Sequence, residues 1–325
     1  MPTRRELLWG VAGAVGAAAL GRVWSEAAPV FRGASARRAA AGESIVHGPY
    51  GHGVEAPTSL GPAALDAATT PPPPVRGPVA RTLTITQRPV TVAQAVTLDA
   101  WTFDGAIPGP ILRVTEGETL TLTVRNLTGH PHNLHTHGAH APAQDGWEPI
   151  PPGGERTYTL TPRPAGIHPY HCDLMPGAQH LGRGLYGLLI VDPVVPRPAA
   201  QERVLLLGGF DADGDGRSES FGWNGVAGFY ARHPLRLRSG APVRLYVVNL
   251  VVDEPVATFH LHGRTFDVYR SGTGRTPDEH TDVVPLTLGE RAMLELTFDA
   301  PGRYMFHPHQ ARMAEHGAMG WIAVG

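Results

Sequence analysis

From about residue 81 onward, apolar and polar residues alternate with a period of two, which indicates β-strands that bury one face. Residues 120–124 and 243–247 show the alternation most clearly, with Leu and Val set against Thr, Arg and Tyr. Turn signals such as Glu116-Gly117 and Pro152-Gly153-Gly154 separate the short apolar runs. The pattern predicts an all-β protein built from sandwiches or barrels.

Composition supports this prediction and excludes several function classes. The 325 residues include 40 Gly and 32 Pro, which favours many turns and argues against a helical bundle. A net charge of −2 offers no basic surface for nucleic acid, and a single cysteine excludes an intrachain disulfide. No apolar run reaches the roughly 20 residues of a membrane-spanning helix. The 17 histidines are an unusually high number and direct attention to metal binding.

The chain repeats itself, which predicts two domains of similar design. The segment 126–138, which ends in His-Thr-His-Gly, recurs as 249–263, which ends in His-Leu-His-Gly. The segments 154–173 and 289–309 correspond in the same way, from a shared Gly-Glu-Arg to a histidine pair or its equivalent. We therefore predict one β-domain over 79–193 and a second over 194–325, divided at the proline-rich stretch that follows Asp192.

The N-terminal residues read as an export signal and a linker. Arg4-Arg5, a short apolar run and small residues near Ala27 resemble a twin-arginine signal peptide over 1–27. Residues 28–78 are rich in Ala, Gly and Pro without apolar periodicity, so we expect a flexible linker. These features predict export to the periplasm or the extracellular space, with no transmembrane anchor after signal removal.

Histidines occur in pairs separated by one residue, at positions 135/137, 171/173, 260/262 and 307/309. Residues i and i+2 of a strand point to the same face, so each pair offers two side chains to one site. Seven of the eight positions are histidine, and the eighth is Asp173. Four matched pairs in a tandem repeat predict a shared metal site.

A second set of ligands faces the opposite way. Cys172 lies between His171 and Asp173, so on a strand its side chain points to the face opposite theirs. His132 lies an odd number of residues from the first histidine pair, so an extended strand would turn it to that opposite face as well. With His180 they form a His₂Cys set, the signature of a blue, type 1 copper centre. The axial position falls on Leu185, which cannot ligate and should raise the reduction potential; Met175 is the rival axial residue.

Domain two cannot build this second site. Ala257 stands where domain one has the first histidine of the His₂Cys set, and Pro308 stands where it has the cysteine. One domain therefore carries the thiolate centre, whereas both carry histidines for the shared site.

These motifs resemble those of the small, two-domain multicopper oxidases, over about residues 80–325. The resemblance implies two tandem cupredoxin-like Greek-key β-sandwiches and about four coppers per chain. It implies that a small-molecule or metal-ion donor reduces type 1 copper, and that a trinuclear cluster reduces dioxygen to water. It further implies a homotrimer whose clusters lie between subunits. The implied ligands are His132, Cys172 and His180 for type 1; His135 and His260 for type 2; and His137, His171, His262, His307 and His309 for type 3.

Asp173 departs from the family pattern, which has a histidine ligand of type 3 copper there. Asp173 is therefore a candidate type 3 ligand, in a mixed ligand set. Alternatively, one type 3 copper is missing, or the site is retuned for slow oxygen chemistry. His171, Cys172 and Asp173 are consecutive in this sequence. The resemblance implies that they form the catalytic link between the two kinds of site, because the peptide bond between His171 and Cys172 joins one to the other.

Two other functions stay open. A copper-containing nitrite reductase shares the fold, but that family has an aspartate where this chain has His135 and usually a methionine where it has Leu185. A non-catalytic copper-binding or tolerance protein would use the histidines without turnover.

Secondary features remain open as well. Asp211–Gly216 resembles the start of a calcium loop, but Gly222 replaces the bidentate glutamate, which favours a polar loop; Glu219 could complete a weaker site. Asp282 and Glu315 are candidates for orienting ligands.

Overall fold

A computed structural model describes residues 69–94 and 96–325, and all of them fall within one compact unit. The described chain forms two tandem β-sandwiches, as the alternating pattern and the internal repeat predict. The predicted signal peptide and residues 28–68 of the predicted linker lie outside the described residues. Among the described residues, no helix is long and apolar enough to cross a membrane.

The first sandwich consists of two four-stranded sheets with the orders β2-β1-β4-β6 and β3-β8-β7-β5. Its strands are β1 Val79–Ala93, β2 Val96–Phe103, β3 Leu112–Thr115, β4 Leu120–Asn126, β5 His135–Thr136, β6 Glu155–Leu160, β7 Gly166–His171 and β8 Tyr186–Asp192. A short helix, α1 Gly177–Gly182, connects β7 to β8. Strands β1 and β4 run parallel, as do β3 and β8, so sequential neighbours are not always paired.

The second sandwich repeats this arrangement with sheets of seven and five strands, in the orders β11-β10-β9-β13-β18-β15-β16 and β12-β20-β19-β14-β17. Its strands are β9 Gln201–Phe210, β10 Ser220–Trp223, β11 Val226–Ala227, β12 Leu235–Leu237, β13 Pro242–Asn249, β14 Val256–Leu261, β15 Phe266–Arg270, β16 Glu279–Thr281, β17 Val283–Thr287, β18 Arg291–Thr297, β19 Gly302–His307 and β20 Gly320–Val324. The parallel pairs β9–β13 and β12–β20 reproduce those of the first sandwich.

The two sandwiches pack through sheets that are buried on both faces. In β8, Leu189 and Val191 belong to the core of the first sandwich, whereas Leu188 and Ile190 join a separate apolar cluster. That cluster includes Tyr246 and other residues of β9, β13, β15 and β18, so it forms the junction between the sandwiches. Alternate side chains of one strand therefore stabilise a domain and its junction at once.

An ionic network borders the junction. Arg113 of β3 contacts the carboxylates of Asp192 at 2.7 Å and Glu202 at 2.7 Å. Glu202 of β9 also lies 3.2 Å from a guanidinium nitrogen of Arg244 and accepts a 2.6 Å hydrogen bond from the Tyr246 hydroxyl. Because the Arg113 and Arg244 side chains are 4% and 7% exposed, Glu202 supplies negative charge that these buried cations need.

The end of the predicted linker differs from the expectation of a flexible segment. The carbonyl of Pro72 accepts a 2.9 Å hydrogen bond from Arg113, and that of Val75 accepts a 2.6 Å bond from the Thr115 hydroxyl. Residues 72–75 therefore lie along β3. Composition alone does not reveal this contact, because the bonds use backbone carbonyls that every residue carries.

Candidate metal centre

One end of the first sandwich brings together His132, Cys172 and His180 in a buried pocket. The Cys172 Sγ lies 3.0 Å from the His180 Nδ1 and 3.8 Å from the His132 Nδ1, and the two Nδ1 atoms are 3.1 Å apart. The residues are 0%, 0% and 5% exposed for His132, Cys172 and His180. Two imidazoles and a soft thiol with converging donor atoms form a donor set that suits copper.

Backbone contacts of the surrounding loops hold this pocket in shape. The side-chain Nδ2 of Asn126, at the end of β4, donates to the backbone carbonyls of His130 at 2.7 Å and Ile150 at 2.9 Å. Ile150 in turn exchanges two backbone hydrogen bonds with His132. Asn249 plays the matching role in the second sandwich, where its amide donates to a carbonyl 3.0 Å away. These contacts explain why the asparagine is part of the sequence repeat.

The two axial candidates lie in very different surroundings. Leu185 is 0% exposed in the same apolar cluster as Cys172, and its carbonyl accepts a 3.1 Å hydrogen bond from the Cys172 backbone. Met175 is 88% exposed. The geometry favours Leu185 as the residue beside the pocket, because the exposed Met175 side chain cannot reach a fully buried centre.

Burial controls the protonation of the pocket. Removal from water, together with the neighbouring rings of His180 and His130, lowers the pKa of His132 to about 3. Burial likewise raises the pKa of the Cys172 thiol to about 11. The imidazoles are therefore neutral and ready to ligate at pH 7, whereas the thiol must lose its proton when a metal binds.

The first sandwich also gathers the outward-facing histidines His135, His137 and His171, whose ring nitrogens lie within 4.8 Å of one another. His135 and His171 are direct cross-strand partners of β5 and β7, and the Nε2 atoms of His137 and His171 are 3.2 Å apart. Burial lowers the pKa of His137 to about 3 and also lowers that of His171. Parity thus separates this group from Cys172, as the i, i+2 pattern predicts.

The second sandwich forms an equivalent group from His260, His262 and His307. His260 and His307 are cross-strand partners in β14 and β19, the same register relation as His135 and His171. The Nε2 atoms of His262 and His307 are 2.9 Å apart, and the ring of His309 lies 4.7 Å from that of His260. Among the described residues, no group of three or more potential ligands combines histidines of both sandwiches.

Three of these rings are oriented through their Nδ1 atoms. The Nδ1 atoms of His171, His260 and His307 face the carbonyls of Cys172, Asp282 and Pro308 at 3.1, 2.8 and 2.8 Å. A protonated Nδ1 leaves the Nε2 lone pair free for a metal. Asp282 therefore contacts His260 through its backbone carbonyl and not through the carboxylate that the sequence suggests.

Sequence reasoning missed two residues beside the first group. The Asp145 carboxylate lies 3.0 Å from the Nδ1 of His135 and 2.8 Å from the Nε2 of His140, and its pKa is lowered mainly by the hydrogen bond with His140. Arg291, at the start of β18, donates to the Nδ1 of His137 at 3.3 Å. An acidic residue ten positions after His135 was the available signal for Asp145; Arg291 had none beyond its place in the Gly-Glu-Arg repeat.

Sequence profiles described as multicopper oxidase match residues 84–195 and 199–325. The chain belongs to the multicopper oxidase family. Membership implies that the protein binds copper, and the histidine groups offer donor atoms that suit it. A copper-containing nitrite reductase of Neisseria meningitidis serogroup B is 30% identical over 263 residues, which cover 73% of this chain and 66% of that protein. The match thus spans slightly less than two thirds of that relative's length.

Solved structures agree with this assignment. A multicopper oxidase crystal structure superposes with a TM-score of 0.75 at 35% identity, over 79% of this chain and 92% of that one. A copper nitrite reductase from Nitrosomonas europaea superposes with a TM-score of 0.71 at 30% identity, over 76% of this chain and 94% of that one. Both activities therefore occur among close structural neighbours of this multicopper oxidase family member.

Asp173, where the sequence departs from the family pattern, lies at the surface beside buried His171. Its backbone N–H donates to the Asn133 side chain at 2.7 Å. Among the described residues it joins none of the groups whose donor atoms lie within 4.8 Å of one another. Within one chain, the domain-one group is therefore formed by histidines alone.

The acidic loop after β9 brings the carboxylates of Asp211, Asp213, Asp215 and Glu219 within 4.8 Å of one another. These carboxylates also accept backbone hydrogen bonds from within the loop, such as that from Gly214 to Asp211 at 2.7 Å. Such bonds are typical of the polar loop that the sequence favours over a calcium site.

Proposed function

We propose that this chain is a laccase-like multicopper oxidase that passes single electrons from a reductant to dioxygen and releases water. The observation that carries the proposal is the number and placement of imidazoles: three converge in each sandwich, and they are separate from the His₂Cys pocket. Bound copper would supply one-electron redox chemistry at the pocket and four-electron reduction of dioxygen at the histidine groups.

The chain's own residues support a short route between the two kinds of site. His171 is the last residue of β7 and Cys172 directly follows it, so strand geometry favours opposite directions for their side chains. Cys172 lies in the core pocket, whereas His171 contacts the ring of His135, with centroids 5.3 Å apart. An electron that reaches the thiolate would thus cross one residue's backbone to reach the cluster.

We propose further that the cluster is completed between subunits of a homotrimer. Each histidine group of one chain offers only part of the ligand set implied for types 2 and 3, and His262 and His309 are exposed. Joining the domain-one group of one subunit to the domain-two group of another would unite His135 with His260 and cover the exposed rings. Sedimentation of the copper-loaded protein tests this arrangement, and a fully metallated monomer would contradict it.

The deciding experiment is a copper count combined with oxygen uptake. We expect about four coppers per chain and donor-dependent oxygen consumption without release of hydrogen peroxide. Asp173→His tests the departure from the family pattern: an increase in copper content or oxygen uptake would show that Asp173 limits the cluster. If neither changes, Asp173 is neither a ligand nor a handicap. A fully loaded protein without oxygen uptake would favour a copper-binding or tolerance role.

A copper nitrite reductase is the second candidate, because the Neisseria relative carries that name. His135 argues against it, because nitrite reductases have an aspartate at that position. Here the His135 ring lies among the other imidazoles, at 5.4 Å from the His137 ring, and its Nδ1 contacts Asp145. About two coppers per chain, with nitric oxide formed from nitrite and an artificial electron donor, would establish this activity instead.

Export is proposed from the twin arginines alone. Arg4→Lys with Arg5→Lys should retain the protein in the cytoplasm if the twin-arginine route carries it. Unchanged export of this variant would contradict the proposal.

A further inference from the structure

Trp101, on β2, packs against both histidines of the His₂Cys pocket. Its ring centroid lies 4.8 Å from that of His132 and 4.8 Å from that of His180, at interplanar angles of 71° and 49°. The two imidazoles come from different segments of the chain, a loop after β4 and helix α1. A single indole therefore contacts both nitrogen ligands of the proposed type 1 centre.

The indole is itself held from the solvent side. The guanidinium of Arg183 stacks over its ring at 4.7 Å, a cation–π geometry, and lies 3.2 Å from the Asp99 carboxylate. The backbone N–H of Trp101 donates to the carbonyl of Arg183 at 3.0 Å. Because Arg183 directly follows α1, these contacts tie β2 to the helix that carries His180.

Ring contacts, not a hydrogen bond, account for the position of this side chain. Trp101 is 3% exposed, and its Nε1 has no hydrogen-bond partner among the described residues. Burial of an N–H group without an acceptor is unfavourable, so the packing of the ring must outweigh that cost. The His132 Nε2 is likewise buried without such a partner. The His132 ring therefore packs edge to face against Trp101 and, among the described residues, has no hydrogen-bond partner at its Nε2.

We propose that Trp101 is a positioning residue of the His₂Cys centre: it fixes the planes of both imidazoles, and Arg183 holds it in place. A metal centre is tuned by the groups that orient its ligands, even when those groups do not touch the metal. Loss of the indole would let both rings rotate, so that their Nδ1 atoms no longer converge on Cys172. This inference rests on the proposed copper site and not on the identity of the electron acceptor.

The test uses copper alone as the probe, added as Cu²⁺ to the chelator-treated full chain. Cys172 is the single cysteine, so thiolate-to-copper absorption reports this centre without interference from the histidine groups. Titration against a competing chelator gives the affinity, and electron paramagnetic resonance gives the geometry. We expect Trp101→Leu to weaken copper binding at the thiolate by about 10- to 100-fold, the usual effect of losing a ligand-orienting group. Its copper hyperfine splitting should change as well.

Three variants separate positioning from general stability. Trp101→Phe keeps an aromatic ring and should return the affinity to within about threefold of the wild type. Trp223, which is 1% exposed in the core of the second sandwich, provides the matched control. Trp223→Leu should lower the unfolding midpoint but leave copper affinity and the spectrum unchanged. Arg183→Gln should weaken binding in the same direction as Trp101→Leu and by less.

The outcomes are distinct. Equal affinity and identical spectra for Trp101→Leu and the wild type would overturn the inference and leave the copper site standing. Equal loss of affinity in Trp101→Leu and Trp223→Leu would also overturn it, because the effect would then be general destabilisation. Absence of thiolate absorption in the copper-loaded wild type would contradict the proposed function itself.

Discussion

Glu202 at the junction of the two sandwiches provides the sharpest test of how the fold is held together. Its carboxylate faces two buried guanidinium groups, those of Arg113 at 2.7 Å and Arg244 at 3.2 Å, and accepts a hydrogen bond from Tyr246 at 2.6 Å. Hydrogen bonds to charged groups contribute about 1.5–3 kcal/mol each. Removing one partner of a buried ion pair costs about 3–5 kcal/mol.

Glu202→Gln keeps the size of the side chain and removes its charge, so we expect the free energy of unfolding to fall by about 3 kcal/mol. Glu155→Gln is the matched control, because Glu155 pairs with Arg125 at 3.0 Å but both side chains are more than half exposed. An exposed pair contributes about 0–1 kcal/mol. Urea unfolding of the chelator-treated proteins at pH 7, followed by near-ultraviolet circular dichroism, measures both changes.

The pH dependence supplies a second readout for the same substitution. Burial raises the pKa of Glu202, but the hydrogen bonds from Arg113 and Tyr246 and the nearby cations outweigh that effect, so the pKa lies below its ordinary value of 4.5. The stability that the carboxylate contributes is therefore present above pH 4.5 and is lost as the pH falls below it. The difference in the free energy of unfolding between the wild type and Glu202→Gln should therefore become smaller as the pH is lowered. Equal, small losses for Glu202→Gln and Glu155→Gln at pH 7 would refute the reasoning.

Three further predictions concern the metal centre and its surroundings. Cys172→Ser should abolish the thiolate absorption and donor-dependent oxygen uptake and remove about one copper per chain, which metal analysis and an oxygen electrode measure; retained uptake would exclude the thiolate route. Leu185→Met should lower the reduction potential in a redox titration, because a thioether stabilises the oxidised metal; an unchanged potential would place Leu185 outside the axial position. His168 is 1% exposed, and burial lowers its pKa below 6.5, so His168→Gln should reduce the loss of stability on going from pH 7.5 to 5.5; an unchanged loss in urea unfolding would contradict this.

Much of the site follows from strand periodicity in the sequence. The two-residue period predicts which histidines share a face, and the structure brings His135, His137 and His171 together as that period requires. The tandem repeat also indicates that the two sandwiches present matching groups. What the period does not contain is the register between strands, which pairs His135 with His171 and His260 with His307. Register depends on turns and packing far along the chain.

The residues that sequence reasoning missed reach the site from segments whose own pattern does not point to it, such as Arg291 at the start of β18. Asp145 lies in an irregular loop, and Trp101 lies on a strand that begins 36 residues before His132. Both contact ligands through tertiary folding, which no local pattern encodes. The same reason explains why the sequence does not predict the contacts at the end of the linker. There, backbone carbonyls accept hydrogen bonds from Arg113 and Thr115, and every residue carries such a carbonyl.

The separation of the His₂Cys pocket from the neighbouring histidine group follows from one peptide bond. His171 and Cys172 are adjacent, so strand geometry must place one side chain in the core and the other on the outer face. Cys172 then shares its apolar cluster with Leu185 and Trp101, and the Arg183 guanidinium stacks on the Trp101 ring. His171 lies in the histidine group, with its ring 5.3 Å from those of His135 and His137. The second sandwich keeps only the outer half of this arrangement, because Ala257 is buried in its core where the first has a ligand.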